Sequence, residues 1–241
     1  NNQLSSGHNG VWNIVQDPTP LALNTWYHVA VTYDAATTTM KLYKNGVLVS
    51  INNAVPTANG NMVRLGAFDN ASNLLQGNMD EVRIWNVART AEQINGSRNC
   101  ELAGPESGLV AYYNFNQGND AGNNSTVTTL TAMTGPSGTL TNFALAGATS
   151  NWLAGSPVTT GSFVPAVATV TTPVVRNQGD TAPTLTATTG TNGTGLLWYT
   201  TATGGTGSAT APTLSTATVG STSYWVSSTN ANGCESARVE I

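Results

Sequence analysis

The sequence predicts an all-β protein of two antiparallel domains, and three of its features carry this prediction. Two different sets of side chains alternate along residues 25–34, "TWYHVAVTYD", which is the period of a strand with two unlike faces. Asn45-Gly46 divides residues 40–50 into two β runs and favours a two-residue hairpin, because a type I′ turn needs positive φ at both positions. From about residue 167 the chain consists of short β runs between Thr, Gly and Pro turns.

The composition indicates an extracellular protein and excludes two classes of partner. Only 8% of the 241 residues are charged, against about 25% in an average soluble protein. Lys41 and Lys44 are the only lysines, so no basic stripe could neutralise nucleic-acid phosphates. No apolar run approaches the roughly 20 residues that span a bilayer. We therefore expect a secreted or outer-surface location, no nucleic-acid partner and no membrane insertion.

Further strands and one helix are predicted in the first half of the chain. Residues 61–68 and 108–116 have the composition of strands. The helix follows a strand that starts near residue 80. Thr90 can cap it, and Gln93, three residues on, can complete a capping box. Gly96 is the predicted end of the helix.

The second half of the chain is predicted to be a separate domain. Residues 154–166 are rich in Pro, Gly, Ser and Thr and are interpreted as a linker. The strand spacing over residues 167–241 favours a small immunoglobulin-like sandwich. Trp198 and residues 223–227 are expected to fill its core.

The first half resembles a known lectin-type family. "TWYHVAVTYD", "LYKNGVLV" and "GNMDEVRIWNVARTAEQI" are similar, in that order, to the second half of a laminin-G-like domain of concanavalin type. The match covers roughly residues 1–100. It implies a partial concanavalin-type antiparallel β-sandwich over residues 1–153, with its N-terminal strands missing from this chain. Residues 108–152 either complete this sandwich or begin another.

Residues 173–241 resemble the immunoglobulin-like repeats that accompany type IX secretion signals in surface proteins of Bacteroidetes-type bacteria. The segments that carry this likeness are "LLWYTTATGG", "APTLSTATVGSTSYWVS" and "NGCES". The repeats often pair the cysteine of the last segment with one on an early strand, where this chain has Asn177. The resemblance therefore implies an unpaired Cys234. A bridge between Cys100 and Cys234 is not expected, because the two fall in different predicted domains, and both are interpreted as small buried hydrophobes.

Asp80 and Glu81 are the candidate catalytic pair, and their spacing argues against catalysis. General acid–base chemistry on a strand needs two carboxylates on one face, at positions i and i+2. Adjacent strand residues point to opposite faces, so we expect no enzyme activity. Glu81 is predicted to form an ion pair with Arg83, on the same face as Trp85.

Asp80 is the centre of a predicted calcium site. In laminin-G-like domains this position lies near a calcium site, so the resemblance implies that Asp80, Asn78 and Asp69 bind calcium through their oxygens. The alternative is that Asp80 accepts backbone N–H bonds and caps a turn. Ala132 stands where the family commonly has an acid, which removes any metal ligand from that segment. His28 is interpreted as a packed strand residue, and a zinc site is not expected.

Ligand binding is predicted at the rim loops of the first domain. Asn70 and Asn73 are candidates because they could present hydrogen-bonding groups, and Trp12 because a sugar ring could stack on an exposed indole. Trp85 and Trp152 are further candidates for such stacking. For each tryptophan the alternative is packing in the core.

Three functions are compatible with the sequence. The first is a non-catalytic adhesion or binding module of a large surface protein, whose rim loops bind a glycan or an extracellular protein. The second is a carbohydrate-binding accessory region of a secreted polysaccharide-degrading enzyme, with the catalytic domain elsewhere in a larger parent chain. The third is a structural stalk without a ligand, since one fold hosts many functions.

Overall fold

The computed structural model of this protein describes residues 2–8, 11–54, 62–67, 73–104 and 106–241, and their regular secondary structure is almost entirely β. The predicted all-β fold class is confirmed. The chain divides into two compact units. Unit 1 comprises Asn1–Arg89 and Gly104–Thr160, and unit 2 comprises Thr90–Ala103 and Gly161–Ile241.

The elements of the described residues are named in chain order. Unit 1 contains β1 (Ser5–His8), β2 (Val11–Gln16), β3 (Val29–Asp34), β4 (Thr39–Lys44), β5 (Val47–Asn53), β6 (Val82–Trp85), β7 (Leu109–Tyr113), β8 (Thr129–Leu130), β9 (Gly138–Thr139) and a short 3-10 helix (Gly147–Thr149). Unit 2 contains α1 (Ala91–Ser97), β10 (Thr169–Val170), β11 (Ala187–Thr188), β12 (Gly195–Tyr199), β13 (Trp225–Thr229) and β14 (Val239–Glu240).

The first part of unit 1 is an antiparallel sheet in the order β3-β4-β5, accompanied by the β1–β2 hairpin. Alternate side chains of β4, Met40 and Leu42, are buried together with Val15 of β2. The predicted turn between β4 and β5 is confirmed, since Asn45 has φ 51° and Gly46 has φ 81°. These are the left-handed values that a type I′ hairpin requires.

The second part of unit 1 pairs β6 with β7 and β8 with β9 around a core of its own. Ala111, Tyr113, Leu130 and Trp152 are its buried members. The predicted strand at 61–68 is wrong over the described residues 62–67, which contribute only one bridge, from Ala67 to Leu74. The physical reason is that Gly66, with a φ of 79°, departs from extended geometry, and its carbonyl accepts the N–H of Leu75.

Unit 2 contains a three-stranded antiparallel sheet in the order β12-β13-β14 and the separate pair β10–β11. Trp198 of β12 and Val226 of β13 are buried with Ala168 and Leu185. The core predicted from Trp198 and the 223–227 segment is therefore confirmed. Within the described ranges, no helix has the length and apolar character needed to cross a bilayer.

The predicted capping box of α1 is confirmed, but the predicted role of its glycine is wrong. The N–H of Gln93 donates to Thr90 Oγ1, and the N–H of Thr90 donates to Gln93 Oε1. The helix runs past Gly96 to Ser97. Gly96 instead allows a close approach of two backbones, because a Cβ there would lie 2.8 Å from the Glu235 carbonyl oxygen.

The prediction of unpaired cysteines is wrong, because Cys100 and Cys234 form a disulfide. The cause is the path of the chain, since Thr90–Ala103 belong to the same compact unit as Cys234. The two cysteines therefore lie in one unit, although sequence reasoning separated them. The compact units also divide the chain differently from the predicted ranges 1–153, 154–166 and 167–241.

Candidate functional site

The backbone between Asp80 and Glu81 differs from the strand that the sequence predicts. Glu81 has φ 54°, in the left-handed region, and β6 begins only at Val82. Strict alternation of side chains therefore does not extend to this pair. Asp80 Oδ1 accepts the N–H of Glu81 at 2.9 Å, in agreement with the turn-capping alternative for Asp80.

The carboxylate of Glu81 is held by two side chains of the β6–β7 sheet. Arg83 Nη2 lies 2.6 Å from Glu81 Oε2, which confirms the predicted ion pair. The hydroxyl of Tyr112 donates to the same carboxylate, 3.0 Å from Oε1 and 2.9 Å from Oε2. The side chains of Glu81 and Arg83 are only 10% and 9% exposed, so the pair is largely shielded from solvent.

Burial governs the protonation of Glu81. Desolvation raises the pKa of Glu81 above its usual value, while the hydrogen bonds from Arg83 and Tyr112 act in the opposite direction and offset only part of the rise. Because protein donors already surround the carboxylate, it has little capacity left to exchange a proton with a substrate. The arrangement serves to join β6 to β7.

Tyr112 is the member of this cluster that the sequence did not reveal. It is fully buried in β7 and lies opposite Arg83 in the register of the β6–β7 pair. Its hydroxyl reaches Glu81 because that residue leaves the strand geometry. Tyr112 and Glu81 are 31 positions apart, so their contact cannot be predicted from either segment alone and is seen only when the strands pair.

The structure describes two of the three residues predicted to bind calcium. No group of three or more His, Cys, Asp or Glu side chains lies close enough to share a metal in the described part of the chain. Asn78 is exposed and Asp80 is half-buried, with Asp80 Oδ1 occupied by a backbone N–H. Asp69, the third predicted ligand, lies outside the described residues.

The predicted ligand-binding residues have different surroundings. Trp12 of β2 is 66% exposed. Asn73 is exposed and has φ 52°, while Asn70 lies outside the described residues. His28 lies just before β3, half-buried, and its backbone N–H donates to Asn45 Oδ1.

The other two candidate tryptophans are less suited to stacking. Trp152 is only 4% exposed and packs against Phe143, with ring centroids 5.2 Å apart, so it is a core residue. Trp85 is half-buried, and the guanidinium of Arg89 lies 4.2 Å from its ring centroid, in cation–π contact with one face. Trp12 is therefore the most exposed of the three candidates.

Sequence comparison with known families gives one match in each half of the chain. Residues 2–95 match the concanavalin A-like lectin/glucanases superfamily, through its laminin-G type model. Residues 165–241 match the immunoglobulin-like domain described as CHU_C associated. Two segments of the chain are therefore similar to known domain types, a lectin-type one over residues 2–95 and an immunoglobulin-like one over residues 165–241.

Comparison with individual proteins gives two partial similarities. No curated protein matches the chain significantly. An S-layer domain-containing protein from Clostridium thermocellum is 26% identical over 34% of this chain and 42% of its own, with a TM-score of 0.28. A Bacteroides ovatus protein described as carbohydrate binding is 28% identical over 55% of this chain and 38% of its own, with a TM-score of 0.43. The matches therefore span less than half of either solved chain.

Proposed function

We propose that this chain is a non-catalytic adhesion or binding module of a large secreted or cell-surface bacterial protein, with a glycan or an extracellular protein as its ligand. The observation that carries the proposal is the exposed indole of Trp12, in the segment that matches the lectin-type superfamily. An indole face gives a sugar ring or an apolar side chain a large contact area at low entropic cost.

The state of Glu81 supports a binding role over a catalytic one. Its carboxylate is bound to Arg83 and Tyr112 and is nearly buried, so it is a poor general acid or base for an incoming substrate. Asp80, its neighbour, has one carboxylate oxygen engaged by the Glu81 N–H. Both residues therefore have structural contacts that account for their presence.

The disulfide supports a location outside the cytoplasm. Disulfides persist in oxidising compartments and are rare in the cytosol. The buried Cys100–Cys234 bond and the low content of charged residues both fit a secreted or surface protein. Export by a type IX system, as the resemblance of residues 173–241 implies, is part of this proposal.

The experiment is a binding screen of the whole chain on a glycan array and a panel of extracellular matrix proteins. For any ligand found, Trp12→Ala should weaken binding about tenfold or more, equivalent to about 1.4 kcal/mol. Leu23→Ala is the matched control, because Leu23 is 78% exposed and also lies in unit 1. Binding that is unaffected by Trp12→Ala would remove Trp12 from the site, and the absence of any ligand would favour the structural stalk.

The calcium site predicted at Asp69, Asn78 and Asp80 remains a proposal, and a melting experiment tests it. Calcium at about 100 times its dissociation constant should stabilise the folded chain by about 2.7 kcal/mol. Asp80→Asn should abolish this gain, whereas Asp120→Asn, a carboxylate elsewhere in unit 1, should keep it. A midpoint that does not respond to calcium contradicts the proposed site without affecting the Trp12 proposal.

A further inference from the structure

The disulfide of unit 2 connects two segments that are far apart in sequence. Cys100 and Cys234 are separated by 134 positions, and their Cα atoms are 6.2 Å apart. Both residues are fully buried. The bond therefore closes a covalent loop that contains residues 101–233.

Hydrogen bonds next to the disulfide join the same two segments. The backbone N–H of Glu235 donates to the Gly96 carbonyl at 2.9 Å. In the segment that contains Cys234, Asn230 Oδ1 accepts the N–H of Cys234 at 3.0 Å, and Asn230 Nδ2 lies 3.3 Å from Cys100 Sγ. The end of α1 and the segment around Cys234 are thus fixed to each other by both covalent and non-covalent contacts.

We propose that this disulfide diverts tension around residues 101–233, so that a chain pulled from before Cys100 and from beyond Cys234 cannot extend this stretch. Tension follows the shortest covalent path, which runs from Cys100 through the two sulfur atoms to Cys234. The proposal rests on the connectivity of the chain alone, and it holds whatever ligand unit 1 binds.

Residues 101–233, which the disulfide shields from tension, contain most of unit 2. Strands β10 to β13, with the core residues Trp198 and Val226, all lie between the two cysteines. Strands β7 to β9 of unit 1 lie in the same loop. Only α1 and β14 of unit 2 are on the loaded path, together with β1 to β6 of unit 1. The residues of β10 to β13 should therefore not be extended between the ends of the chain while the disulfide is intact.

Single-molecule stretching of the whole chain, held by tags at its two ends, tests the proposal. The oxidised chain is unfolded under constant force, and reductant is then added while the chain is extended, since burial protects the bond in the folded state. Reduction should lengthen the chain by a further step of about 450 Å, because 134 residue intervals of roughly 3.3–3.6 Å are released.

The control uses a second attachment at Ala88, an exposed position before Cys100. A chain held between its first residue and Ala88 contains no part of the loop, so reductant should leave its extended length unchanged. Mass spectrometry of the unreduced protein verifies the bond independently. An oxidised chain that reaches its full length without reductant, or two free thiols in the native protein, would overturn the proposal.

Discussion

The two units differ in how many large apolar side chains they expose to solvent. Of the twenty large hydrophobic side chains that are substantially exposed among the described residues, all but Val167, Val175 and Val219 lie in unit 1. These include Val29 and Val31 of β3 and Trp12 of β2. Because large exposed apolar patches often mark interaction sites, the contrast makes unit 1 the place to test for ligand contact.

The units also differ in the interactions that hold them together. Both ion pairs found in the described residues, Asp17–Lys44 and Glu81–Arg83, lie in unit 1, whereas the disulfide lies in unit 2. Ion pairs respond to pH and a disulfide responds to reductant. The stability of unit 1 should therefore include ion-pair contributions that vary with pH, and that of unit 2 a covalent contribution that is lost in reductant.

The largest effect is expected from removing the disulfide. The double substitution of Cys100→Ser and Cys234→Ser should lower the free energy of unfolding of unit 2 by about 3–5 kcal/mol, because the bond closes a long loop and restricts the unfolded chain. Hydrogen exchange measures this locally. Amides of β12 and β13 should lose protection, while those of β3 and β4 should keep theirs. Equal losses in both units would contradict the comparison.

The next effect is expected at the buried ion pair of unit 1. Arg83→Met should destabilise unit 1 by about 3 kcal/mol at neutral pH, because it leaves the Glu81 carboxylate buried without its cation. Chemical denaturation followed through β6 and β7 amides measures the loss. Adding Glu81→Gln to this variant should recover much of it, since the amide carries no charge. A double variant as unstable as Arg83→Met would point to lost packing instead.

The pH dependence of this variant has a definite sign. The pKa of Glu81 is already raised by burial, and loss of Arg83 should raise it further. A carboxyl group whose pKa is raised by folding binds a proton more tightly in the folded state than in the unfolded chain. Protonation therefore favours the folded state at low pH, and this contribution to stability is lost as the pH rises through the folded-state pKa. The cost of Arg83→Met should therefore be largest at neutral pH and shrink in acid. A cost that grows in acid would contradict the assignment.

A smaller effect is expected where α1 contacts the segment after Cys234. Gly96→Ala should destabilise unit 2 by about 1–2 kcal/mol, because the new Cβ would lie 2.8 Å from the Glu235 carbonyl oxygen and force a backbone shift. Thermal unfolding measures the change. Gly220→Ala is the matched control in the same unit, since a Cβ there meets no atom within 4 Å. Equal effects of the two substitutions would contradict the close approach.

The smallest effect on stability is expected from the substitution Asp17→Asn. A hydrogen bond from Lys44 and the N–H of Thr19 lower the pKa of Asp17 below its usual value. A carboxylate whose pKa is lowered by folding stabilises the fold at every pH above its pKa in the unfolded chain. This contribution disappears as the pH falls through its pKa in the folded state. Asp17→Asn should therefore be less stable than the unsubstituted chain at neutral pH and equal to it in strong acid. Unfolding curves between pH 2 and 7 check this. A difference in stability between the two proteins that stays constant over this pH range would contradict the stabilising role of the Asp17 charge.

The candidate site was partly predictable. The Glu81–Arg83 pair follows from two charges at i and i+2, and the capping box at Thr90 follows from two residues three apart, because both are local patterns. The contact of Tyr112 with Glu81 and the burial of Trp152 were not predictable, because each depends on segments that are distant in sequence. The exposure of Trp12 is likewise a property of how its hairpin packs.

The sequence alone determined the all-β class, the Asn45-Gly46 turn, the helix start at Thr90 and the core role of Trp198. Each of these depends on backbone geometry or apolar periodicity within a short window. Only the tertiary structure decided that residues 90–103 join the second unit and bring Cys100 to Cys234. The physical reason is that side-chain alternation constrains neighbours along the chain, whereas the partner of a distant segment is chosen by packing and by the path of the backbone.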